Sequence, residues 1–123
     1  MNQFLLYGAN GYTGELIARY SNKFGLEPIL AGRKREAIEP IAKKLGLSFL
    51  IFDLDDESAL LSALEKVKVV VHAAGPFQFT AKQMIEACLK AGVHYVDING
   101  DVSVFEMIKQ YDEKASRANI QLL

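Results

Sequence analysis

The stretch that decides the fold of this chain is Leu5-Leu6-Tyr7-Gly8-Ala9-Asn10-Gly11-Tyr12-Thr13-Gly14. Its short apolar run predicts a first strand, and the glycines that follow predict a sharp turn into a helix. The first N–H groups of such a helix have no partner within the helix and lie at the positive end of its dipole, where a pyrophosphate commonly binds. The spacing is GxxGxxG rather than GxGxxG, and it equally fits a tight turn with a close helix–strand contact. Both interpretations stay open at this point.

The second predicted strand, Pro28–Ala31, is followed by Gly32-Arg33-Lys34-Arg35. In a dinucleotide-binding βαβ unit the residue that closes this strand meets the adenosine ribose, where an acidic side chain selects NAD and an arginine accommodates the 2′-phosphate of NADP. In this chain the second strand is followed by a glycine and three cations, and this stretch contains no carboxylate. Arg33 offers a planar fork to a phosphate, and Lys34 or Arg35 adds positive charge. The pattern therefore favours NADP, and the alternative is a solvated basic turn at the start of a helix.

Composition indicates one soluble globular domain of 123 residues, with 50% hydrophobic and 24% charged residues and a formal net charge of −1. The cations are dispersed apart from the cluster at 33–35, so we expect no nucleic-acid partner. No apolar run is long enough to cross a bilayer, and the opening Met1-Asn2-Gln3-Phe4 does not resemble a signal peptide. The single cysteine, Cys88, excludes an internal disulfide and fits a reducing, cytoplasmic location.

Strand and helix patterns alternate along the whole chain, which predicts βαβ units in an α/β fold. We expect a doubly wound parallel sheet of Rossmann type with strand order 3-2-1-4-5-6, truncated at the sixth strand. After the first two strands, the further predicted strands are Phe49–Phe52, Val67–Ala73, Val93–Ile98 and a barely begun Asn119–Leu123.

Three helix predictions bear on the site. The first helix, about residues 11–24, has an apolar stripe that we expect to be buried, Leu16, Ile17, Tyr20 and Phe24. Thr80 and Gln83 have the spacing of a capping box, so a helix is expected to begin at Thr80. A second capping box at Ser103–Glu106 predicts a helix that continues to about residue 117.

Ligands of such sheets bind at the carboxyl ends of the strands. The third strand ends at Asp53 and Leu54, where a carboxylate can accept a hydrogen bond from the adenine amine and leucine can lie against the ring. A helix cap or turn is the alternative role for Asp53. The fourth strand ends in small residues, Ala73-Ala74-Gly75-Pro76, which let a nucleotide ribose approach the backbone.

These motifs, in this order, resemble the N-terminal NADP-binding domain of the saccharopine dehydrogenase-like family, whose bacterial members include trans-acting enoyl reductases. Also matching are Phe52-Asp53-Leu54-Asp55, His72-Ala73-Ala74-Gly75-Pro76-Phe77 and Tyr95-Val96-Asp97-Ile98-Asn99-Gly100-Asp101. The resemblance implies glycines at the pyrophosphate, Arg33 at the 2′-phosphate, Asp53 near adenine and residues 74–76 beside the nicotinamide ribose. The candidate cofactor-binding residues are Gly8, Ala9, Asn10, Gly11, Tyr12, Thr13, Gly14, Gly32, Arg33, Lys34, Asp53, Leu54, Ala73, Ala74, Gly75 and Pro76.

Family members continue into a large second domain that forms the substrate site and usually the dimer contact. The resemblance therefore implies that residues 1–123 are the cofactor domain of a longer enzyme, inactive alone, whose homodimer would form through the other domain. No catalytic set and no metal-site spacing is visible in the sequence. We expect His72 to be a core residue and His94 a surface residue, while Asp97 and Asp101 could position a substrate or cofactor amide or cap the next helix.

The leading hypothesis is an NADP(H)-dependent oxidoreductase that transfers hydride between nicotinamide and a small-molecule substrate with a C=N or C=C bond. The hydride chemistry would belong to the cofactor. A second hypothesis is a non-enzymatic module that senses NADP(H) and presents a surface to a partner. A third, an S-adenosylmethionine-dependent methyltransferase, fits poorly because its second strand normally ends in an acidic residue, whereas this chain has Gly32-Arg33.

Overall fold

Five parallel strands form one sheet in the order β3-β2-β1-β4-β5. A computed structural model describes residues 3–75, 77–98 and 102–123, without the side chains of 77–79 and 102–105. The strands are β1 (Leu5–Tyr7), β2 (Ile29–Gly32), β3 (Phe49–Ile51), β4 (Val69–His72) and β5 (His94–Asp97). The predicted α/β class and Rossmann strand order are confirmed.

The helices are α1 (Tyr12–Lys23), α2 (Arg35–Leu45), α3 (Glu57–Leu64), α4 (Phe77–Ala91), α5 (Val102–Lys109) and α6 (Asp112–Ala118). The predicted helix at 103–117 is thus two helices. Helix α4 begins at Phe77, so Thr80 lies inside it and the capping-box interpretation of Thr80 and Gln83 is wrong. Within the ranges described, the structure has no helix whose length and apolar character would allow it to cross a membrane.

Residues 119–123 occupy the sixth position of the sheet. Leu122 forms a parallel bridge with Tyr95, the Tyr95 N–H donates to the Gln121 carbonyl at 2.9 Å, and the Leu123 N–H donates to the Tyr95 carbonyl at 2.8 Å. The Gln121 N–H also donates to His94 Nδ1 at 3.0 Å. The predicted sixth strand, which we expected to be barely begun, is therefore present as a single bridge beside β5.

Hydrophobic side chains cover both faces of the sheet, because adjacent strand residues point to opposite sides. On one side, α1 and α2 pack over a cluster that contains Leu6, Ala9, Ala18, Leu30, Ile38 and Ala42. On the other side, α3, α4 and α6 contribute to a larger cluster that contains Leu5, Tyr7, Leu64, Val70, Met84, Ile85, Tyr95 and Ala115. This two-sided core holds the carboxyl ends of the strands at one edge.

Helix α1 faces the sheet mainly with small residues, and the predicted apolar stripe is wrong for Leu16, Tyr20 and Phe24, whereas Ile17 is half-buried and packs against the core. Its buried residues are Gly14, Ala18 and Ser21, whereas the side chains of Tyr20 and Phe24 are 53% and 76% exposed. The reason is the close approach of α1 to the loop after β1, where a Cβ on Gly14 would lie 2.2 Å from the Gly8 carbonyl oxygen. Only small side chains fit on a helix face at such a distance.

His72 is a core residue, as predicted. It is 0% exposed and its Nε2 lies 2.8 Å from the Thr80 hydroxyl oxygen, which donates its proton to the Ala74 carbonyl at 3.0 Å. Because a threonine hydroxyl has one hydrogen, His72 Nε2–H must be the donor in the first of these bonds. Burial lowers the pKa of His72 to about 4, so the imidazole is neutral at pH 7.

We expect Gly14→Ala to destabilise the fold by roughly 2–3 kcal/mol, because the added methyl group would press on backbone atoms that cannot rotate away. The matched control is Gly11→Ala: its Cβ would lie 3.6 Å from the Gly8 carbonyl oxygen, an ordinary contact. That control should stay within about 1 kcal/mol of the unsubstituted chain. Urea unfolding measures both values, and equal stabilities would contradict the proposed crowding at Gly14.

Stability should also fall on acidification because His72 is neutral in the fold. An unfolded histidine takes up a proton near pH 6.5, whereas the folded pKa is about 4, so the unfolded state binds more protons between these values. Protonation of His72 in the unfolded state therefore lowers the free energy of unfolding by up to about 3 kcal/mol as the pH falls through that window. Urea unfolding of His72→Gln between pH 7 and 4 should show a shallower pH dependence. An unchanged slope would mean that His72 is not the group responsible.

Candidate functional site

A cleft of about 270 Å³ opens at the carboxyl ends of β1, β2 and β4. The sheet order makes these three strands adjacent, with β1 in the middle. Nine of the predicted site residues line this cleft together with Tyr7: Gly8, Asn10, Gly11, Gly32, Arg33, Lys34, Ala73, Ala74 and Gly75. Segments that are far apart in the sequence therefore meet at one place in the fold.

The floor of the cleft is a close contact between the loops that leave β1 and β4. Gly8 has φ +90°, and a Cβ at this position would lie 2.6 Å from the Ala74 backbone nitrogen and 2.7 Å from the Ala73 carbonyl carbon. The Gly8 N–H donates to the Ala31 carbonyl at 2.8 Å, which ties the same turn to β2. The tight-turn interpretation of Gly8 is therefore correct, and no other residue fits there.

Gly11 differs from the other two glycines of the motif because packing within the protein does not require it. Its φ of −76° is open to any residue, and its Cβ would meet nothing closer than the Gly8 carbonyl oxygen at 3.6 Å. Gly11 is the N-cap of α1 and lines the cleft. The absence of a side chain leaves room for a ligand to approach the first N–H groups of α1, where an anion is favoured.

The remaining motif residues do not line the cleft. Ala9 and Gly14 are buried beneath the turn. Tyr12 is 84% exposed, and Thr13 is also exposed, in the first turn of α1. Pro76 lies outside the described residues.

The three cations at 33–35 have different surroundings, since two of them line the cleft and the third pairs within α2. Arg33 and Lys34 line the cleft, and the Arg33 side chain is 67% exposed with its Nη1 4.0 Å from Asp53 Oδ2. Such a long, exposed ion pair contributes little, so the Arg33 guanidinium can turn to an anionic ligand. Arg35 instead donates to Glu39 Oε2 at 3.1 Å along α2.

A second cleft of about 320 Å³ adjoins the first and shares Tyr7, Arg33, Ala74 and Gly75 with it. Its other lining residues come from the loop after β3 and from α4: Asp53, Leu54, Asp55, Thr80 and Gln83. Asp53 has the predicted role of a turn-former, while its predicted contact with adenine stays a prediction. Its Oδ1 accepts from the Asp55 N–H at 2.9 Å and so forms the turn, while the residue also lines the cleft.

Sequence reasoning missed four residues that line these clefts, namely Tyr7, Asp55, Thr80 and Gln83. The Tyr7 hydroxyl donates to the Phe52 carbonyl at 2.9 Å, across from β1 to the end of β3. Burial, and secondarily the charge of Asp53, raises the pKa of Tyr7 to about 12, so the hydroxyl keeps its proton. The signal for Thr80 and Gln83 was their spacing, which puts two polar side chains on one face of a helix.

At the carboxyl end of β5 the structure describes one carboxylate, that of Asp97. The Tyr95 hydroxyl donates to Asp97 Oδ2 at 2.7 Å, which holds this side chain against the sheet. Asp101 lies outside the described residues. In the part of the chain that the structure describes, no three His, Cys, Asp or Glu side chains come together in a way that could hold a metal.

Curated relatives share sequence with this chain over most of its length. A human saccharopine dehydrogenase-like oxidoreductase is 24% identical over 97% of the chain. A Mycobacterium tuberculosis protein, named as a trans-acting enoyl reductase, is 32% identical over 79% of the chain. The matched parts are 32% and 25% of these relatives, so the chain spans no more than about a third of their length.

Solved structures share the fold. Apo saccharopine dehydrogenase (L-Glu forming) from Saccharomyces cerevisiae superposes with a TM-score of 0.82 at 18% identity, over 98% of this chain and 26% of that one. AtPrR2, solved with NADP+ and (+)pinoresinol, superposes with a TM-score of 0.71 at 19% identity, over 96% of this chain and 47% of that one. At these identities the likeness concerns the fold alone.

A family model described as the saccharopine dehydrogenase NADP binding domain matches residues 4–123, which is nearly the whole chain. The match indicates a nicotinamide dinucleotide as the cofactor of this domain, in agreement with the cleft at the glycine turn. The chain belongs to the family of saccharopine dehydrogenase NADP-binding domains.

Proposed function

We propose that this chain is the NADP(H)-binding domain of an oxidoreductase and that Arg33 selects NADP(H) over NAD(H). The observation that carries the proposal is the position of Arg33 at the end of β2, where it lines both clefts. No carboxylate directly follows β2, since the strand ends at Gly32 and continues as Arg33 and Lys34. A guanidinium can bind a phosphate in a two-pronged manner, whereas a ribose hydroxyl offers it no charge.

In this proposal each part of the cofactor would lie in one of the two clefts. The pyrophosphate would lie at the start of α1, on the glycine turn, with the exposed Thr13 hydroxyl as a further donor. The 2′-phosphate would lie between Arg33 and Lys34, and the adenine would enter the second cleft beside Asp53 and Leu54. The small residues at 73–75 would face the nicotinamide ribose. Ala9 and Gly14 are buried beneath the turn and would support it, while Asn10 and Gly32 line the first cleft.

We propose further that the full reaction is hydride transfer between the nicotinamide and a C=N or C=C bond of a small molecule. The names of the relatives, a saccharopine dehydrogenase-like oxidoreductase and a trans-acting enoyl reductase, support these two bond types. The cofactor would supply the hydride, and this domain would bind and orient it. Most of the substrate site, and any homodimer contact, would lie outside residues 1–123.

A reducing, cytoplasmic location is part of the same proposal. The single cysteine, Cys88, is fully buried in α4, and burial raises the pKa of its thiol to about 12, so it is an inert core residue. The domain therefore has no internal disulfide to lose in a reducing compartment. Fractionation of cells that produce the protein, with a cytoplasmic marker enzyme as reference, tests this location.

Arg33→Ala should weaken NADPH binding by roughly 1–3 kcal/mol, in the range of hydrogen bonds to charged groups, and should leave NADH binding nearly unchanged. Calorimetric titration with both cofactors measures the two values. The matched control is Arg35→Ala, which removes a cation from the same cluster that is already paired with Glu39 on α2. This control should change neither affinity by more than about 0.5 kcal/mol.

If Arg33→Ala weakens the binding of NADPH and NADH equally, the proposal that Arg33 selects NADP(H) is wrong. A chain that binds S-adenosylmethionine and neither dinucleotide would overturn the cofactor assignment itself. If the full-length protein reduces no substrate but binds a partner only in the presence of NADP(H), the sensing module becomes the better description.

A further inference from the structure

The loop that leaves β4, residues 73–75 (the β4 loop), is held from two sides. On the side of β1 its backbone lies against Gly8, where a Cβ would be 2.6 Å from the Ala74 nitrogen. On the side of α4 the Ala74 carbonyl accepts a hydrogen bond from the Thr80 hydroxyl at 3.0 Å. All three loop residues line the first cleft. The Thr80 hydroxyl therefore helps to fix the position of a wall of that cleft.

The Thr80 hydroxyl is in turn oriented by the core, through His72. His72 Nε2 lies 2.8 Å from Thr80 Oγ1 and donates its hydrogen, because the hydroxyl hydrogen goes to the Ala74 carbonyl. The imidazole is fully buried, and the ring centroids of Tyr7 and Tyr95 on the neighbouring strands lie 6.2 and 6.0 Å from its own. A close-packed interior leaves such a ring little room to turn. The direction of the hydroxyl is thus set from within the protein.

Thr80 also lines the second cleft, but its hydroxyl is engaged within the fold. A threonine hydroxyl has a single hydrogen, and here that hydrogen is donated to Ala74. The group therefore cannot donate to a ligand while the β4 loop keeps its position. What the hydroxyl contributes to binding must pass through the loop.

We propose that Thr80, oriented by His72, is a positioning residue that sets the β4 loop for the nicotinamide half of the dinucleotide. The inference rests on the proposed function, in which residues 73–75 face the nicotinamide ribose. Short side chains cannot make up for a displaced backbone, so the position of the loop decides how well the ribose is held. The adenosine half would instead lie on Arg33 and Asp53, which follow β2 and β3. Removal of the Thr80 hydroxyl should therefore affect the two halves unequally.

The test compares the binding of NADP+ with that of adenosine 2′,5′-bisphosphate, which lacks the nicotinamide and its ribose, by calorimetric titration. Thr80→Val keeps a β-branched side chain but removes the hydroxyl. It should weaken NADP+ binding about tenfold, the equivalent of one hydrogen bond, and change binding of the bisphosphate less than about twofold. Thr80→Ser, which keeps the hydroxyl, should bind NADP+ within about twofold of the unsubstituted chain.

Ser21→Ala is the matched control, because it removes a hydroxyl that donates to the Ile17 carbonyl at 2.7 Å within α1. Ser21 is buried and lines neither cleft. This variant loses a hydrogen bond just as Thr80→Val does, yet it should leave both affinities unchanged. Circular dichroism of each variant verifies that the fold is retained.

The unsubstituted chain gives a second readout, which holds even if Thr80→Val does not fold. His72 lines neither cleft, so the NMR signal of its Nε2–H group reports on the β4 loop through Thr80 and not through a contact with ligand. NADP+ should shift this signal more than the bisphosphate does.

Equal losses of affinity for NADP+ and the bisphosphate in Thr80→Val would overturn the inference, since they would indicate a direct contact with the adenosine half. An unchanged affinity for NADP+, a loss that Thr80→Ser shares, or a His72 signal that neither nucleotide shifts would overturn it as well. The preference for NADP+ over NAD+ would still stand in these cases, because it depends on Arg33. If NADP+ does not bind the unsubstituted chain, both proposals are wrong.

Discussion

The contact on which the rest of this structure depends is the meeting of three backbone segments at Gly8, namely the turn after β1, the loop after β4 and the start of α1. The turn after β1 lies directly against the loop after β4, and α1 lies against the carbonyl of the same residue. Side chains cannot be placed between these segments, so Gly8 and Gly14 are required by geometry rather than by local preference. The contact joins the two halves of the sheet at β1 and β4 and leaves the carboxyl ends of the strands open above it.

Hydrogen bonds that cross between elements then hold the walls of the two clefts. Tyr7 ties β1 to the end of β3, and the chain from His72 through the Thr80 hydroxyl to the Ala74 carbonyl ties β4 to α4. Each of these groups is fully or partly buried, where a hydrogen bond is stronger and an unmade one is unfavourable. The loops that line the clefts are thereby positioned by the core and not by their own sequence alone.

The clefts also differ in electrostatic character along their length. The first has the start of α1 and the cations Arg33 and Lys34, which favour an anion. The second has the carboxylates of Asp53 and Asp55 beside Gln83, which favour a hydrogen-bond donor. A nucleotide with phosphates at one end and an amino-bearing base at the other matches this gradient. Under the proposed function, one dinucleotide would therefore lie across both clefts in a single orientation.

The strand order, the glycine turn and the cation after β2 could be predicted from the sequence, because periodicity, glycine spacing and charge are local signals. The break between α5 and α6 could not, nor could the buried face of α1. Small residues such as Ala18 and Ser21 are buried there by the closeness of α1 to β1, which hydrophobic periodicity does not record.

The pairing of Asp55 with Gln83, and of Tyr7 with the end of β3, was decided by the tertiary structure alone. These partners are 28 and 45 residues apart. A local pattern cannot specify such contacts, since only the packing of α4 and β3 against the sheet brings the atoms within hydrogen-bond distance. The sequence by itself therefore determined the fold and the strand ends at which the candidate site lies, while the packing of helices on the sheet decided which side chains shape the two clefts.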